Sequence, residues 1–196
     1  MEASGISWDT VARWKRSLID REYQEITATF VAAGVTAPRI LWSPGEQDLP
    51  LAMMRHVFRV WTGLRGTDTA PHHRRVDPLD LVPALGYINI LEAVEGTSDL
   101  RYRLFGSTAA KVSRFDMTGR LQSQHPASRY VAEFALACSN ACLERCEPLF
   151  TEREPARAER TVRWPRLVLP LRGDCGGAVR LLTVVVPLDA ERNVIR

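Results

Sequence analysis

The sequence predicts an α+β fold, in which a five-stranded antiparallel sheet carries helices on one face and follows an N-terminal helical extension. Segments with helical periodicity precede Tyr87, and segments with a period of two follow it. A second helical block then separates two strands from three later ones. Runs of strands around a helical block favour an antiparallel sheet over βαβ units. We expect one domain at 46–190, the extension at 1–45 and a tail at 191–196.

The extension is predicted to be one amphipathic helix over 8–33. Ser7 can cap its first turn, and Gly34 ends it. Its apolar residues form a single stripe, which consists of Ile19, Tyr23, Ile26 and Phe30. This stripe packs either on the domain or on a second subunit. We expect it to mediate a homodimer or to relay a signal.

Two further helices are predicted before the first strand. The segment 48–64 is amphipathic, with Trp61 on its apolar face and glycines at its end. After a polar loop, Asp77 suits a helix cap and Pro78 suits the first helical position. We therefore expect a short helix that continues to about Leu85.

The first two strands form a predicted hairpin over 87–94 and 100–105, with a turn at 95–98. Leu100, Tyr102 and Leu104 alternate with two arginines in the second strand. Since alternate side chains of a strand point to opposite faces, we expect these three residues to face the core.

A short helix over 109–114 and a long one from His125 to Cys146 should follow the hairpin. Three strands then complete the sheet, at 149–154, 161–171 and 179–187. In the second of these, Val162 and Trp164 share a face. We expect Pro165 to shift the register, so that Leu167 and Leu169 continue that face.

Several segments resemble a stand-alone bacterial family of the PAS superfamily. They are Asp-Pro-Leu-Asp-Leu at 77–81, Arg-Tyr-Arg-Leu-Phe-Gly-Ser at 101–107, Asp-Met-Thr-Gly-Arg at 116–120 and the Trp-to-Gly stretch at 61–66. The resemblance covers about 51–189. It implies a five-stranded sheet that cups a small cavity beneath helices. Such a cavity holds a small molecule, haem, flavin or nothing, while the sheet or a flanking helix contacts a partner.

Cofactor and metal sites find little support in the sequence. Cys138, Cys142 and Cys146 recur every four residues of the long helix, but three thiolates spread over ~12 Å of helix cannot reach one ion. We interpret them as small buried residues, with reaction of one thiol with an oxidant left open. The reactive-cysteine motif of flavin light sensors is absent. His125 stands before a proline at a helix start, which favours capping over haem ligation. The cofactor is unknown.

The charge pattern argues against nucleic acid. The net charge is +3, but acidic residues are interspersed with the 24 arginines and two lysines. The longest apolar stretch is strand-like, and the N-terminus lacks the features of an export signal, so no membrane association is expected. We therefore predict a cytoplasmic location, where disulfides are rare.

We predict ligand contacts at Tyr102, Leu104, Trp164, Tyr130 and His125. Tyr102 offers a phenol to an apolar pocket, and Trp164 either lines or fills the cavity. No Gly-x-Ser-x-Gly elbow, Gly-x-Gly-x-x-Gly loop or Walker lysine is present, so no enzyme is predicted. The function expected is a sensory or regulatory domain that binds a small ligand, a partner protein or both, and signals in trans. The alternatives are a ligand-free interaction adaptor and, less favoured, a small enzyme of unknown reaction.

Overall fold

The computed structural model describes residues 5–154 and 163–195. Its centre is an antiparallel sheet with the strand order β1-β4-β5-β6-β2-β3. The strands are β1 (Arg39–Trp42), β2 (Ile88–Ala93), β3 (Leu100–Leu104), β4 (Leu149–Arg153), β5 (Trp164–Arg172) and β6 (Ala178–Val185). The α+β class and the antiparallel sheet are confirmed. The sheet has six strands rather than five, because β1 pairs with β4 at one edge.

The helices follow the predicted order with one break. They are α1 (Trp8–Asp20), α2 (Gln24–Ala32), α3 (Ala52–Arg65), α4 (Ser107–Ser113) and α5 (Arg129–Arg145), with 3₁₀ turns at Glu46–Asp48, His73–Arg75, Pro78–Tyr87 and Gln122–Gln124. The single helix predicted over 8–33 is two helices, since Arg21 is left-handed with φ 61°. No helix in the described parts of the chain combines the length and apolarity that a bilayer crossing requires.

Both predicted helix starts have their caps. The Ser7 hydroxyl accepts a hydrogen bond from the Thr10 N–H at 3.3 Å, and the Asp77 carboxylate accepts one from the Leu79 N–H at 2.8 Å. These side chains satisfy backbone donors that the first turn leaves free. Ser7 and Asp77 therefore cap these two segments, as predicted from the sequence.

Helices cover both faces of the sheet rather than one. We call the side under α1, α2 and α5 the α5 face; its buried sheet residues are Leu91, Leu100, Tyr102, Leu149, Val168 and Leu181. The opposite side, under α3 and the 3₁₀ segment Pro78–Tyr87, is the α3 face; its buried sheet residues include Ile88, Phe150, Leu167, Leu169, Leu182 and Val184. Strands buried on both sides are almost continuously apolar, as β5 and β6 are.

The predicted N-terminal stripe belongs to the core of its own chain. Ile26 and Phe30 are fully buried on the α5 face, and Ile19 and Tyr23 pack against the same cluster. Ile19 and Tyr23 are only half-buried, and a homodimer through this helix stays a prediction. The extension is thus built into the fold, as is the tail, where Val194 bridges Leu188.

Candidate functional site

Two arginines lie on the α5 face of the sheet. In the β4–β5 register, Arg153 lies opposite Trp164 and Thr151 lies opposite Arg166. Side chains alternate along a strand, and Val168 of β5 belongs to the α5-face core. Arg166 and Trp164 therefore share that face with Arg153 of the neighbouring strand. The two guanidinium groups occupy diagonal positions across one strand pair.

Arg166 is fixed beneath α5 by polar contacts. Its Nη1 donates to the Ala135 carbonyl at 3.3 Å and its Nη2 to the Ser139 hydroxyl at 2.9 Å. The same hydroxyl donates to the Ala135 carbonyl at 2.9 Å and accepts from the Gln122 amide at 3.1 Å. Since a guanidinium has five N–H donors, these two bonds leave further donors of Arg166 unused.

Arg153 is held more loosely. Its guanidinium lies 5.8 Å from the centre of the Trp164 ring, and its one hydrogen bond in the described residues is a 3.4 Å contact to the Glu154 carbonyl. Burial and, to a smaller extent, the charge of Arg166 lower the pKa of Arg153 to about 10, while Tyr130 raises it. Within 5–154 and 163–195, no carboxylate lies at ion-pair distance from Arg153 or Arg166. Two neighbouring positive charges therefore lack a counter-ion in the described chain.

Tyr130 of α5 lies close to this pair. Its hydroxyl is buried without a hydrogen-bond partner among the described residues, and its ring packs edge-on against Phe30 with centroids 5.0 Å apart. Burial raises the pKa of this phenol, while the Arg153 charge lowers it. A buried polar atom without a partner is uncommon in folded proteins, so this hydroxyl marks a place where a partner is missing.

His125 lies where the charges of both arginines act on it. Its Nδ1 accepts a hydrogen bond from the Ala127 N–H at 3.2 Å. This contact lies in the turn before α5, because α5 begins at Arg129 with Ser128 as its N-cap rather than at His125 as predicted. Burial lowers the pKa of His125 to about 4, and the charges of Arg153 and Arg166 act in the same direction. The ring is thus neutral at pH 7. Because Nδ1 accepts, Nε2 carries the proton and is a donor.

Tyr102 of β3 is buried and packs edge-on against Phe105, with centroids 5.3 Å apart. Burial raises the pKa of this phenol to about 12, although the Arg166 charge lowers it. Tyr102 therefore stays protonated at neutral pH and keeps an O–H donor. The Tyr102 side chain points into the core, as predicted from the alternation of residues along this strand.

The inward placement of Leu104 is wrong. This side chain is 42% exposed, and Phe105 enters the core in its place. Leu104 is the last residue of an edge strand, and the pairing between β2 and β3 shifts between Ile90 and Leu91. The alternation that holds at Leu100 and Tyr102 is therefore lost at the strand end.

The register shift expected at Pro165 is also wrong. β5 pairs with β4 and β6 without interruption through this residue. Trp164 consequently shares its face with Arg166 and Val168, whereas Leu167 and Leu169 lie on the α3 face. Val162, predicted to accompany Trp164, lies outside the described residues.

Four of the five predicted ligand residues surround the arginine pair, and Leu104 does not. Tyr102 and His125 are influenced by Arg166, Tyr130 by Arg153, and Trp164 contacts Arg153. Sequence reasoning missed the two arginines themselves. The alternation along β5 could have identified Arg166, because residues 164, 166 and 168 lie on the same side of the strand, the side that faces α5.

The cysteines of α5 are packing residues. Cys138 and Cys142 are fully buried, and burial raises the pKa of Cys138 to about 12. The Cys142 thiol donates to the Glu147 carbonyl at 3.0 Å. In the part of the chain that the structure describes, no three His, Cys, Asp or Glu side chains come close enough to hold a metal ion.

A polar surface depression of about 210 Å³ includes Arg153 but not Arg166. It is lined by Thr36, Ala37, Arg39, Glu152, Arg153, Glu154, Arg163 and Arg192. Arg153 is thus the point where the buried cluster meets this depression. A larger depression of about 380 Å³ lies away from the arginines, beside Trp8 and the β2–β3 turn.

Comparison with known proteins supports one family. The family model of the PAS domain matches residues 51–186 of the 196. A search of curated proteins found no match, and neither did a search of solved structures. The match begins before α3 and ends in the residues after β6, so it includes every element around the arginine pair apart from α1, α2 and β1.

Proposed function

Because the chain belongs to the PAS domain family, whose members are generally sensory and regulatory, we propose that it binds a small ligand on the α5 face and passes the resulting change to a partner protein. The ligand would lie between the sheet and α5, beside Arg153, Arg166 and Tyr130. We assign no reaction to it, since PAS domains are generally sensory rather than catalytic. We propose that it acts in the cytoplasm.

One observation carries this proposal. The Tyr130 hydroxyl is buried without a partner among the described residues, and the charge of Arg153 acts on it. In the same residues no carboxylate pairs with Arg153 or with the neighbouring Arg166. Buried polar groups are normally paired, because leaving one unpaired costs about 1–3 kcal/mol. A ligand that accepts hydrogen bonds would remove that cost. Binding of such a ligand would therefore be favoured at this place.

The contacts of α5 provide a path from the ligand to the surface. Tyr130 contacts Phe30 of α2, Lys15 of α1 pairs with Glu144 of α5 at 2.7 Å, and the buried Glu133 carboxylate accepts from the Ser7 N–H at 2.8 Å. A shift of α5 on binding would consequently move α1 and α2. We propose that the extension at 1–45 relays the signal as part of this unit, and that its outer surface meets the partner.

Native mass spectrometry of the freshly purified protein tests ligand binding. We expect a population with added mass, and a rise in Tm when the released molecule is returned. A mass equal to that of the bare chain, together with no rise in Tm across a metabolite panel, would contradict ligand binding and favour the ligand-free adaptor. A visible spectrum of the same sample checks for haem and flavin.

A further inference from the structure

We propose that the ligand is a small organic anion, whose carboxylate or phosphate group binds between Arg153 and Arg166. This inference rests on the proposed function and adds the chemical class of the ligand. It follows from the charge, the donors and the access route of the site, each of which comes from residues of this chain.

The charge comes from strand geometry. Arg153 and Arg166 occupy diagonal positions on one face of adjacent strands, so their guanidinium groups repel each other. Elsewhere on this sheet, comparable arginines have carboxylate partners: Arg180 pairs with Glu92 at 2.5 Å, and Arg163 pairs with Glu152 at 3.2 Å. An anion between Arg153 and Arg166 would supply the charge that Glu92 and Glu152 supply there.

The tyrosine and histidine groups near the arginines are donors, whereas the buried Oε1 of Gln122, which has no partner among the described residues, is an acceptor. Tyr130 and Tyr102 are protonated phenols, and His125 is neutral with its proton on Nε2. A guanidinium has no acceptor atom, so the site favours a ligand rich in acceptor oxygens over an amine. Carboxylate and phosphate both accept paired N–H donors from arginine. Among the described residues no carboxylate lies at ion-pair distance from either arginine, although Glu152 and Glu154 line the depression that includes Arg153.

Apolar groups beside the donors favour an organic anion over a bare inorganic ion. The Trp164 ring flanks Arg153, and the Tyr130 ring packs against Phe30 and so joins the apolar cluster of α2 and α5. A small carbon skeleton can contact these rings while its anionic group meets the arginines. The polar depression that reaches Arg153 offers entry from solvent.

Isothermal titration calorimetry with the full chain tests the proposal. The probes are succinate and glycerol phosphate, which represent the two anion classes, the neutral succinamide, and inorganic phosphate. We expect at least one organic anion to bind and to weaken as salt is raised, with succinamide at least tenfold weaker. Preference for succinate or for glycerol phosphate identifies the anionic group. Equal binding of succinate and succinamide, or binding of inorganic phosphate alone, would overturn the inference.

The variants R153Q and R166Q should each reduce anion affinity at least tenfold, whereas R153K should retain part of it. R59Q is the matched control, because Arg59 lies exposed on α3, on the other side of the sheet. Each variant is first checked for an unchanged Tm within a few degrees. If R59Q weakens binding as much as R153Q does, the site is elsewhere and the inference fails.

The two proposals can fail separately. If native mass spectrometry finds a retained neutral molecule whose binding R153Q and R166Q leave unchanged, ligand binding stands and the anion inference falls. If no molecule is retained and none of the probes binds, both fall. A retained anion that is lost in R153Q and R166Q supports both.

Discussion

The two faces of the sheet differ in the acidic residues that are available to pair with their arginines. By strand alternation, the α3 side carries Arg103, Arg163 and Arg180, which pair with Glu92 or Glu152. It also carries Arg39 and Arg101, which have no carboxylate partner among the described residues. The α5 face carries Arg153 and Arg166, which have no carboxylate partner among the described residues. Among the described strands, the two carboxylates Glu92 and Glu152 both lie on the α3 side, and the α5 face has none.

The lack of strand carboxylates on the α5 face indicates that this face contributes less to folding stability. Unpaired charge near a protein interior is costly because desolvation is not offset by a counter-ion. On the α3 face the indole Nε1 of the buried Trp61 donates to the Pro170 carbonyl at 2.8 Å, while the Nε of the neighbouring Arg65 is buried without a partner among the described residues. Residues that lower folding stability are often found at functional sites. We therefore propose a binding role for the α5 face and a structural role for the α3 face.

The largest expected effect is on the α3 face. W61A removes a fully buried ring and leaves the Pro170 carbonyl without its donor, so we expect a loss of about 3–5 kcal/mol in the free energy of unfolding. The matched variant W164A, at a half-buried position on the α5 face, should cost about 1 kcal/mol. Urea denaturation of both proteins measures the two values. Equal losses would contradict the assignment of separate roles.

The next effect is the pH dependence from His125. Its pKa is about 4 in the folded chain and the ordinary 6.5 when unfolded, so the unfolded state binds more protons between these values. His125 therefore stabilises the fold above pH 6.5, and this contribution, on the order of 2–3 kcal/mol, is lost as the pH falls towards 4.

The variant H125N should flatten the pH dependence of the unfolding free energy between pH 4 and 6.5. A smaller slope should remain, because burial also lowers the pKa of His73, which lies near Arg180. Urea denaturation at several pH values measures the slope. An unchanged slope in H125N would show that this ring is exposed, and would weaken the case for a desolvated α5 face.

The smallest effect is a difference in sign between two arginines. R153M removes an unpaired charge, so we expect the free energy of unfolding to stay the same or rise by about 1 kcal/mol. R180M instead takes a partner from Glu92, which leaves Arg103 as its remaining partner, and should lower the free energy by about 1 kcal/mol. Denaturation without added ligand measures both. A loss in R153M as large as that in R180M would mean that Arg153 is paired.

Local patterns determined most of the element order. Three features were predicted from the sequence alone, because each depends on residues that are close in the chain. They are the period of two in 100–102, the apolar runs of β5 and β6, and the caps at Ser7 and Asp77. Parity also indicated that Tyr102 faces the core, whereas the ligand contacts predicted for Tyr102, Trp164, Tyr130 and His125 stay predictions.

Contacts between distant parts of the chain determine which residues form the site around Arg153 and Arg166. The left-handed Arg21 turned the extension back over α5, β1 joined the sheet edge, and α3 covered the second face. The unbroken pairing at Pro165 brought Arg166 beside Arg153, and Leu104 was left exposed at the strand end. Such outcomes depend on contacts between residues far apart in the chain. A local pattern specifies a strand, but the partner strand specifies which charges meet and whether a counter-ion reaches them.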